Sequence, residues 1–523
     1  MLVCFFYLYM LLFTHEGEFM KKILTIILDG FGQRDEEDGN AIKAARMKNY
    51  ESLWEEYPHT TLYASEEPIG LREGQFGNSE IGHTIIGAGR IVKQSESIVD
   101  EMFENLDDNL TFQMLIDYTR SNPDKAVHLM GLCSDGLVHS DINHFIKLFN
   151  RLADNGVRNI YFHLITDGKD TPNGSAIEYI KKIENLIKER EVGSIATICG
   201  RTYAMDRDQR WARTKRYYDL VTAAQGYKFK DPIEPIEISY KEDIPDNEIK
   251  PIIIDPNGVI KDEDSLIWIN YRMDRGKQIL TPFLTKDFDE FDTVKYDNLN
   301  VYTFFPIDKE LKTNSFLPTN QVENPLGIYL SNLGLSQARV AEGQKYSHVT
   351  YFFDGSYSGK IDKCDKFMIP SNDPRTFIQK PEMSAVEVTK KVIDCMQKDY
   401  DFILVNYANP DIVGHTGDWN ATVKACITVD ICLGKLMEVA DDNFYKIIVL
   451  GDHGNADIMY DEEKNPVPTH TLSKVPFIIV DKKVKLADEG SLINVAPTIL
   501  DYMDIAIPKE MSESSSLITS RDE

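Results

Sequence analysis

The sequence predicts an α/β fold, and three observations support it. Short apolar runs of strand length alternate with amphipathic stretches of helical length. The runs are apolar on both faces, as in buried parallel strands. Acidic, basic and histidine residues follow the runs directly, where parallel sheets carry their sites. The runs are Ile23–Leu28, Ala126–Leu132, Ile160–Ile165, Ile195–Cys199, Leu266–Asn270, Phe402–Tyr407 and Lys446–Leu450.

A chain of 523 residues is too long for one core, so we expect two domains. Acidic and imidazole side chains of metal-ligand type lie before residue 85 and after residue 405, and the candidate substrate arginines lie between them. This segregation predicts a metal domain, 20–95 and 318–510, that is split around an inserted substrate-binding domain, 96–317. The crossings are expected near Ile91–Ser97 and Lys312–Asn320, and the tail 511–523 is expected to be frayed.

The first residues include a short apolar run, Leu2–Phe13. The run is too short to span a membrane and lacks the basic flank and small-residue cleavage site of a secretory signal. Met20 opens directly into the first predicted strand. We therefore expect 1–19 to be a disordered or misassigned extension, with a membrane or export signal as the alternative.

The net charge of −27 argues against nucleic acid or an anionic membrane as the main partner. A small anionic substrate remains compatible, because it needs only a local pocket of arginines. The seven cysteines are scattered and contain no C-x-x-C pair. A reducing, cytoplasmic compartment is therefore expected.

Three carboxylates, three imidazoles and one hydroxyl cluster after the predicted strands or in a glycine-rich turn. They are enough ligands for two divalent metals, with the serine as a metal-activated nucleophile, which predicts phosphoryl chemistry. Mixed carboxylate and imidazole ligands favour Mn²⁺ or Zn²⁺ over Ca²⁺, with Mg²⁺ as second choice. The residues are Asp29, Ser79, Asp411, His415, Asp452, His453 and His470.

The spacing of the residues within this set supports further predictions. Asp411 and His415 share a face if they lie on one helical turn, although Gly414 makes a tight loop an alternative. Adjacent Asp452 and His453 point in different directions in an extended chain, which suits a bridge between two metals. His83 is interpreted as structural.

The inserted region carries four arginines, each after a predicted strand. Their planar guanidinium groups match carboxylate and phosphate, so they predict an anion pocket. Asp170 among these cations is a candidate general acid/base. The arginines are Arg201, Arg207, Arg272 and Arg275.

Four segments resemble the cofactor-independent (2,3-bisphosphoglycerate-independent) phosphoglycerate mutases of the alkaline phosphatase superfamily. They are Gly77–Arg90 (GNSEIGHTIIGAGR), Tyr203–Arg210 (YAMDRDQR), Lys345–Phe353 (KYSHVTYFF) and Asn406–Gly417 (NYANPDIVGHTG). The resemblance extends from Met20 to about Ile507. It implies a split alkaline-phosphatase-like metal domain with an inserted α/β transferase domain.

The resemblance also implies the role of each site residue. One Mn²⁺ would be held by Asp411, His415 and His470, and a second by Asp29, Ser79, Asp452 and His453, with Co²⁺ or Zn²⁺ as alternative ions. The substrate would meet His139, Lys169, Asp170, Arg201, Arg207, Arg272, Arg275 and Lys345.

The implied activity is the glycolytic interconversion of 3-phosphoglycerate and 2-phosphoglycerate by a monomer, through a phosphoserine at Ser79. The sequence departs from the family pattern at Lys169, where arginine is usual, and at Leu137, Asp141, Thr202 and Gly451. A metal-dependent phosphatase or other hydrolase of the superfamily is the alternative function. A binding protein without catalysis is a third hypothesis.

Overall fold

The computed structural model describes residues 21–272, 275–308, 310–357 and 359–522, so the expected extension at 1–19 lies outside the described residues. The strands, in chain order, are β1 (Lys22–Leu28), β2 (His59–Tyr63), β3 (Val127–Leu132), β4 (Ile160–Thr166), β5 (Ser194–Gly200), β6 (Tyr227–Lys228), β7 (Ile252–Ile253), β8 (Ser265–Trp268), β9 (Asn300–Thr303), β10 (Asn314–Ser315), β11 (Gln337–Glu342), β12 (Cys364–Ile369), β13 (Phe402–Tyr407), β14 (Tyr445–Gly451), β15 (Val475–Ile479), β16 (Val484–Leu486), β17 (Glu489–Ser491) and β18 (Ile518–Arg521).

Helices connect most of these strands, as in other α/β folds. The α-helices are Ala41–Ala45, Lys48–Glu56, Ser79–Ala88, Ser95–Glu104, Leu110–Ser121, Ile142–Asp154, Ala176–Arg190, Arg201–Ala204, Trp211–Ala223, Glu234–Lys241, Lys277–Leu284, Leu326–Asn332, Ala385–Gln397, Asn409–Gly414, Trp419–Asp442 and Val495–Tyr502. A π-helix spans His348–Phe352. None of the helices in the described ranges combines the length and apolarity needed to cross a membrane.

The chain divides into two compact units. Unit 1 contains the residues up to Val92 and from Gln321 onward, and unit 2 is Lys93–Asn320. The sequence predicts the two changes of domain after residues 95 and 317. The observed changes, after residues 92 and 320, lie a few residues from those positions.

Unit 1 is built on an eight-stranded sheet in the order β12-β11-β13-β1-β14-β15-β2-β17. The central strands β13, β1 and β14 are parallel, and they correspond to the apolar runs that predict strands. Every residue of β13 is buried, as expected for a parallel strand covered on both faces. Leu28 at the end of β1 pairs with Tyr407 on one side and Gly451 on the other. The three following loops therefore leave the sheet at the same edge.

Unit 2 has a second eight-stranded sheet, in the order β10-β9-β8-β3-β4-β5-β7-β6. The strands from β10 to β5 are parallel, and β7 runs antiparallel to β5. The four apolar runs of the inserted region correspond to β3, β4, β5 and β8. Their carboxyl ends lead to Ser134, Asp167, Arg201 and Arg272. The α/β class and the two-domain arrangement predicted from the sequence are confirmed.

A buried hydrogen-bonded chain crosses the sheet of unit 2. His128 lies 3.1 Å from an Asp264 carboxylate oxygen through Nε2 and 3.0 Å from His163 through Nδ1. His163 in turn lies 2.9 Å from the Thr197 hydroxyl. Burial lowers the pKa of both histidines, and the neighbouring His128 lowers that of His163 further. The folded unit therefore holds both rings in their neutral form.

The tail differs from the expectation that it is frayed. Strand β18 pairs antiparallel with β16, and Met511 and Leu517 are buried in the core of unit 1. The backbone N–H of Leu517 donates to the Thr498 hydroxyl at 2.8 Å. The serine-rich composition conceals these two apolar anchors, which explains why the expectation of a frayed tail was wrong.

Candidate active site

Three loops at one edge of the unit 1 sheet bring the predicted metal ligands together. Asp29 follows β1, Asp411 lies on the helix after β13, and Asp452 and His453 follow β14. Because the three strands are parallel and in register, the residues just beyond their carboxyl ends meet at one edge. All four side chains are buried.

Ser79 is the first residue of the helix Ser79–Ala88, not a residue of an open glycine-rich turn. Asn78 caps the helix by accepting a hydrogen bond from Ile81 N at 2.9 Å. The Ser79 hydroxyl donates to Asp29 Oδ1 at 3.1 Å and lies 2.9 Å from His453 Nε2. A helix amino terminus favours negative charge, so this location suits a serine that carries a phosphoryl group.

Asp411 and His415 lie on one helical turn, the first of the two predicted alternatives. Asp411 Oδ1 lies 3.2 Å from His415 Nε2 and 3.5 Å from His470 Nε2, and the two ring nitrogens are 3.1 Å apart. Each ring is oriented by its other nitrogen, which contacts the Pro468 carbonyl for His415 and the Gly77 carbonyl for His470. Such backbone contacts fix the ring orientation of metal-binding histidines.

The second group contains Asp29, Asp452 and His453, whose ligand atoms lie within 4.8 Å of one another. Within the described part of the chain, Asp452 Oδ2 is buried and accepts no hydrogen bond. His453 also falls within 4.8 Å of Asp411 and His470. It therefore belongs to both groups, whereas Asp452 belongs only to the second, and the predicted bridge between two metals stays a prediction.

Lys345 provides a positive charge at the centre of this cluster. Its Nζ lies 2.6 Å from each of Asp29 Oδ1, Ser79 Oγ and Asp411 Oδ2. Burial favours a raised pKa for the two carboxyl groups, but the Lys345 charge reverses this and holds both values below the usual range. The resemblance assigns Lys345 to the substrate, and the structure places it among the metal-type ligands of unit 1.

The pKa values of the three imidazoles in the cluster are shifted in different directions. Burial opposes protonation of His453, but the charge of Asp452 and the contact with Asp29 raise its pKa to about 9. Burial also opposes protonation of His415, and Asp411 raises its pKa. For His470, burial and the neighbouring His453 lower the pKa. The abundant carboxylate charge therefore concentrates cations here, which is the electrostatic setting of a cation site.

Three further residues contact the site: Asn406 and Asn455, for which the sequence predicts no role, and His83, which it interprets as structural. Asn406 Nδ2 donates to Asp29 Oδ2 at 2.6 Å, and Asn455 Nδ2 donates to Asp411 Oδ1 at 2.9 Å. His83 lies 2.8 Å from the Ser79 carbonyl and 3.3 Å from Asp452 Oδ2. Asn406 is the one polar residue among the apolar residues of β13 up to Tyr407, a signal that was available in the sequence.

Unit 2 places a second polar cluster beyond β3, β4 and β5. Arg201 Nη1 donates to Asp170 Oδ2 at 2.7 Å and to Asp167 Oδ1 at 2.5 Å. His139 Nε2 lies 3.8 Å from Asp170 Oδ2. Burial raises the pKa of Asp170, Arg201 lowers it in part, and Asp167 raises it again, so that the net shift is upward.

The remaining predicted substrate residues of unit 2 are placed as follows. Lys169 is exposed, and its backbone N–H donates to Asp167 Oδ1 at 3.1 Å. Arg207 is exposed, and Arg272 is partly buried and acts electrostatically on the Asp170 carboxyl. Arg275 Nη1 donates to the Met205 carbonyl at 3.1 Å. The structure therefore brings His139, Asp170, Arg201 and Arg272 close together.

Comparison with known proteins identifies the family. Residues 96–309 match the family model for the BPG-independent PGAM N-terminus, and residues 307–511 match type I phosphodiesterase / nucleotide pyrophosphatase. The chain is 42% identical over 508 residues to the 2,3-bisphosphoglycerate-independent phosphoglycerate mutase of Clostridium tetani, covering 94% of this chain and 98% of the relative. The Moorella thermoacetica enzyme of the same name is 40% identical over 515 residues, covering 95% and 98%.

A solved structure agrees with these relatives. A crystal structure of Leishmania mexicana phosphoglycerate mutase at low cobalt concentration is 29% identical, with a TM-score of 0.82, and covers 98% of this chain and 100% of that chain. The structural match covers both units, and each of the two mutase relatives aligns with this chain over nearly its whole length. The chain belongs to the 2,3-bisphosphoglycerate-independent phosphoglycerate mutases and is an isomerase of that family.

Proposed function

We propose that this isomerase interconverts 3-phosphoglycerate and 2-phosphoglycerate through a phosphoserine at Ser79, with two divalent cations and without 2,3-bisphosphoglycerate. The observation that carries the proposal is the position of the Ser79 hydroxyl. It lies at a helix amino terminus, within 3.1 Å of Asp29, His453 and Lys345. A serine hydroxyl is a poor nucleophile by itself, and this surrounding set of ligands and charge is suited to activate it.

The ligand set fits divalent cations. Asp452 Oδ2 is buried and, within the described part of the chain, without a hydrogen-bond partner, as expected of an atom that a cation would complete. Asp411, His415 and His470 would hold one ion, and Asp29, Ser79, Asp452 and His453 the other. Mn²⁺ suits this mixture of oxygen and nitrogen, with Co²⁺ or Zn²⁺ as alternatives. When bound, the ions would lower the pKa of the serine hydroxyl and offset the charge of the phosphoryl group.

Side chains of the protein carry out the phosphoryl transfer and the proton transfers. Ser79, as the alkoxide, forms a bond from Oγ to phosphorus while the bond from phosphorus to the substrate's 3-oxygen breaks. Asp170 in its protonated form gives its proton to that oxygen and then takes the proton of the 2-hydroxyl. The 2-oxygen then attacks the phosphoserine and restores the Ser79 alkoxide. Lys345 offsets negative charge at the transferred group.

Unit 2 supplies the groups that bind the glycerate part. Arg201, Arg207, Arg272 and Arg275 are proposed to bind its carboxylate and phosphoryl oxygens, together with His139 and Lys169. Guanidinium groups suit this task because each presents two parallel donors to such oxygens. The raised pKa of Asp170 supports its role, because a larger fraction of this carboxyl group carries the proton that the first step needs.

The test is a two-product assay. The purified protein receives 3-phosphoglycerate and Mn²⁺ without 2,3-bisphosphoglycerate, and 2-phosphoglycerate and free phosphate are followed together. The proposal expects 2-phosphoglycerate as the main product and phosphate on Ser79 by mass spectrometry. Ser79→Ala should be inactive, while Ser52→Ala, a control at a partly exposed position of the helix Lys48–Glu56, should match the wild type. Free phosphate as the main product would indicate the hydrolase, and isomerisation by Ser79→Ala would exclude the phosphoserine.

We further propose a cytoplasmic monomer that acts on a small molecule, without nucleic acid or a membrane as partner. The net charge of −27 supports the choice of partner. Six cysteines in the described ranges are free, which supports a reducing compartment. Light scattering at increasing protein concentration tests the monomer, and a mass of twice 59.8 kDa would exclude it.

A further inference from the structure

Asp167 is a buried carboxylate that has no role in the mechanism proposed above. It is the first residue after β4 and is 2% exposed. A carboxylate this deeply buried requires compensation by hydrogen bonds or opposite charge. Its partners therefore indicate what it does.

The two oxygens of Asp167 connect three strand ends. Oδ2 accepts a hydrogen bond from the Ser134 hydroxyl, beyond β3, at 2.7 Å. Oδ1 accepts from the backbone N–H groups of Lys169 and Asp170 at 3.1 and 3.0 Å. Oδ1 also accepts from Arg201 Nη1, beyond β5, at 2.5 Å. One carboxylate thus ties the loop that carries Lys169 and Asp170 to Arg201.

Arg201 is shared between two carboxylates at a single nitrogen. Its Nη1 donates to Asp167 Oδ1 and to Asp170 Oδ2. This geometry fixes the plane of the guanidinium group and holds it beside Asp170. We infer that Asp167 is a positioning residue for the isomerase reaction, which sets the orientation of Arg201 and the location of Asp170 relative to it. The inference deepens the proposed function, because it rests on the roles given there to Arg201 and Asp170.

The charge of Asp167 adds a second effect. Asp167 competes with Asp170 for Arg201 and repels negative charge on Asp170, and both effects favour the protonated form of Asp170. Without this charge, Arg201 would pair with Asp170 alone and lower its pKa. Geometry and charge can therefore be separated by two different substitutions at Asp167.

Asp167→Asn keeps the shape and removes the charge. It should move the alkaline limb of the kcat/KM profile for 3-phosphoglycerate to lower pH by about one unit. Asp167→Glu keeps the charge and displaces the oxygens by one methylene. It should leave that limb in place and raise KM about tenfold through loss of hydrogen bonds to charged groups. Thermal melting establishes that each variant is folded.

Asp255→Asn is a matched control. Asp255 lies at the opposite end of β5, where its Oδ2 accepts from the Ser194 hydroxyl at 2.9 Å, much as Asp167 accepts from Ser134. Its profile and KM should equal those of the wild type. An Asp167→Asn limb at the wild-type pH, or an Asp167→Glu enzyme with wild-type KM, would overturn the inference. If either variant fails to fold, the other one decides.

Asp170→Asn separates this inference from the proposed function. It should lose at least about 100-fold in kcat if Asp170 transfers protons. If that variant is inactive and the Asp167→Asn limb stays in place, the positioning role is wrong and the mechanism stands. If Asp170→Asn keeps full activity, the proposed proton transfer is wrong as well.

Discussion

The ammonium group of Lys345 lies 2.6 Å from the Ser79 hydroxyl and equally close to carboxylate oxygens of Asp29 and Asp411. A fixed cation here offsets the negative charge that accumulates as phosphorus approaches the serine. We predict that Lys345→Ala lowers kcat by about 100-fold or more and retains bound metal. Metal analysis and steady-state kinetics check both parts.

Lys366 offers the control, since its Nζ donates to Asp354 Oδ2 at 2.8 Å elsewhere in unit 1. Lys366→Ala should keep the wild-type kcat. A Lys345→Ala enzyme with normal turnover, or one that has lost its metal, would contradict the role given to this lysine.

Removal of individual ligands should remove individual ions. We predict two bound Mn²⁺ in the wild type and one each in His415→Ala and Asp452→Asn, because these residues belong to different proposed sites. Added Mn²⁺ should also raise the Tm of the wild type by binding only the folded state. Elemental analysis after dialysis and thermal melting measure these effects. The exposed His59 gives the control His59→Ala, and retention of two ions by both ligand variants would refute the two-site assignment.

Lys169 is exposed, and the family resemblance implies arginine at this position. Lysine provides the charge without the planar pair of donors that matches a carboxylate or phosphate. We predict that Lys169→Arg lowers KM for 3-phosphoglycerate by about threefold to tenfold with little change in kcat. Initial-rate kinetics measure this, with the exposed Lys181→Arg as control. An unchanged or raised KM would show that the substrate does not use the planar pair of donors that arginine adds.

The His128–His163 pair should make unit 2 sensitive to acid. Both folded pKa values are lowered below the ordinary value of 6.5, mainly by burial. Near and below pH 6.5 the unfolded chain therefore binds protons that the folded chain does not bind. The contribution of the two neutral histidines to stability is fully present above that pH and is lost as the pH falls. The expected slope is about 1.4 kcal/mol per pH unit for each histidine.

Urea unfolding of the wild type and of His163→Gln between pH 8 and pH 5 measures this dependence. The variant should show a shallower fall in the free energy of unfolding below pH 6.5, and both proteins should show the same slope near pH 8. Equal slopes across the whole range would mean that His163 does not contribute to the loss of stability in acid.

Gly87 is a point of close approach in unit 1. A Cβ at Gly87 would lie 1.9 Å from the Phe353 carbonyl oxygen, so the helix that begins at Ser79 packs directly against the chain beyond the π-helix. We predict that Gly87→Ala costs about 1–3 kcal/mol of stability and lowers kcat, because Ser79 or Lys345 must shift. Gly343→Ala, whose nearest contact would be Ser371 Oγ at 3.5 Å, should be nearly neutral in melting and kinetic assays.

The sequence predicts the central strands well because burial on both faces requires continuous apolar runs. It does not reveal β11, although every residue of that strand is buried. The reason is that three of its six residues, Gln337, Arg339 and Glu342, are polar and buried. The guanidinium carbon of Arg339 lies 4.6 and 5.1 Å from the ring centres of Phe353 and Phe402. Because arginine is strongly polar, a hydropathy pattern places it at the surface even where aromatic rings cover its guanidinium group.

The candidate ligands could be proposed from sequence because each follows a strand and has the chemistry of a metal ligand. The contacts that support them could not, since Asn406 and Asn455 are 377 and 44 positions from their partners Asp29 and Asp411. The polar character of Asn406 is visible in the sequence, but its partner is not. Only the family resemblance indicates that Lys345 belongs to the site, and no local pattern indicates that its Nζ contacts Asp29 and Asp411. The roles of the candidate ligands and of Lys345 stay predictions, which the assays described above test.

Asp29 and its partner Asn406 are 377 positions apart in the chain, although they share a hydrogen bond of 2.6 Å. At a synthesis rate of about 5–20 residues per second, β1 leaves the ribosome roughly 20–75 s before β13. During that interval the whole of unit 2 emerges and has the contacts for its own core. Strand β1 meanwhile exposes an apolar edge with no partner. The nascent chain therefore carries its central strand unpaired until β13 and β14 have been made, and this delay follows directly from the place of that strand in the sheet.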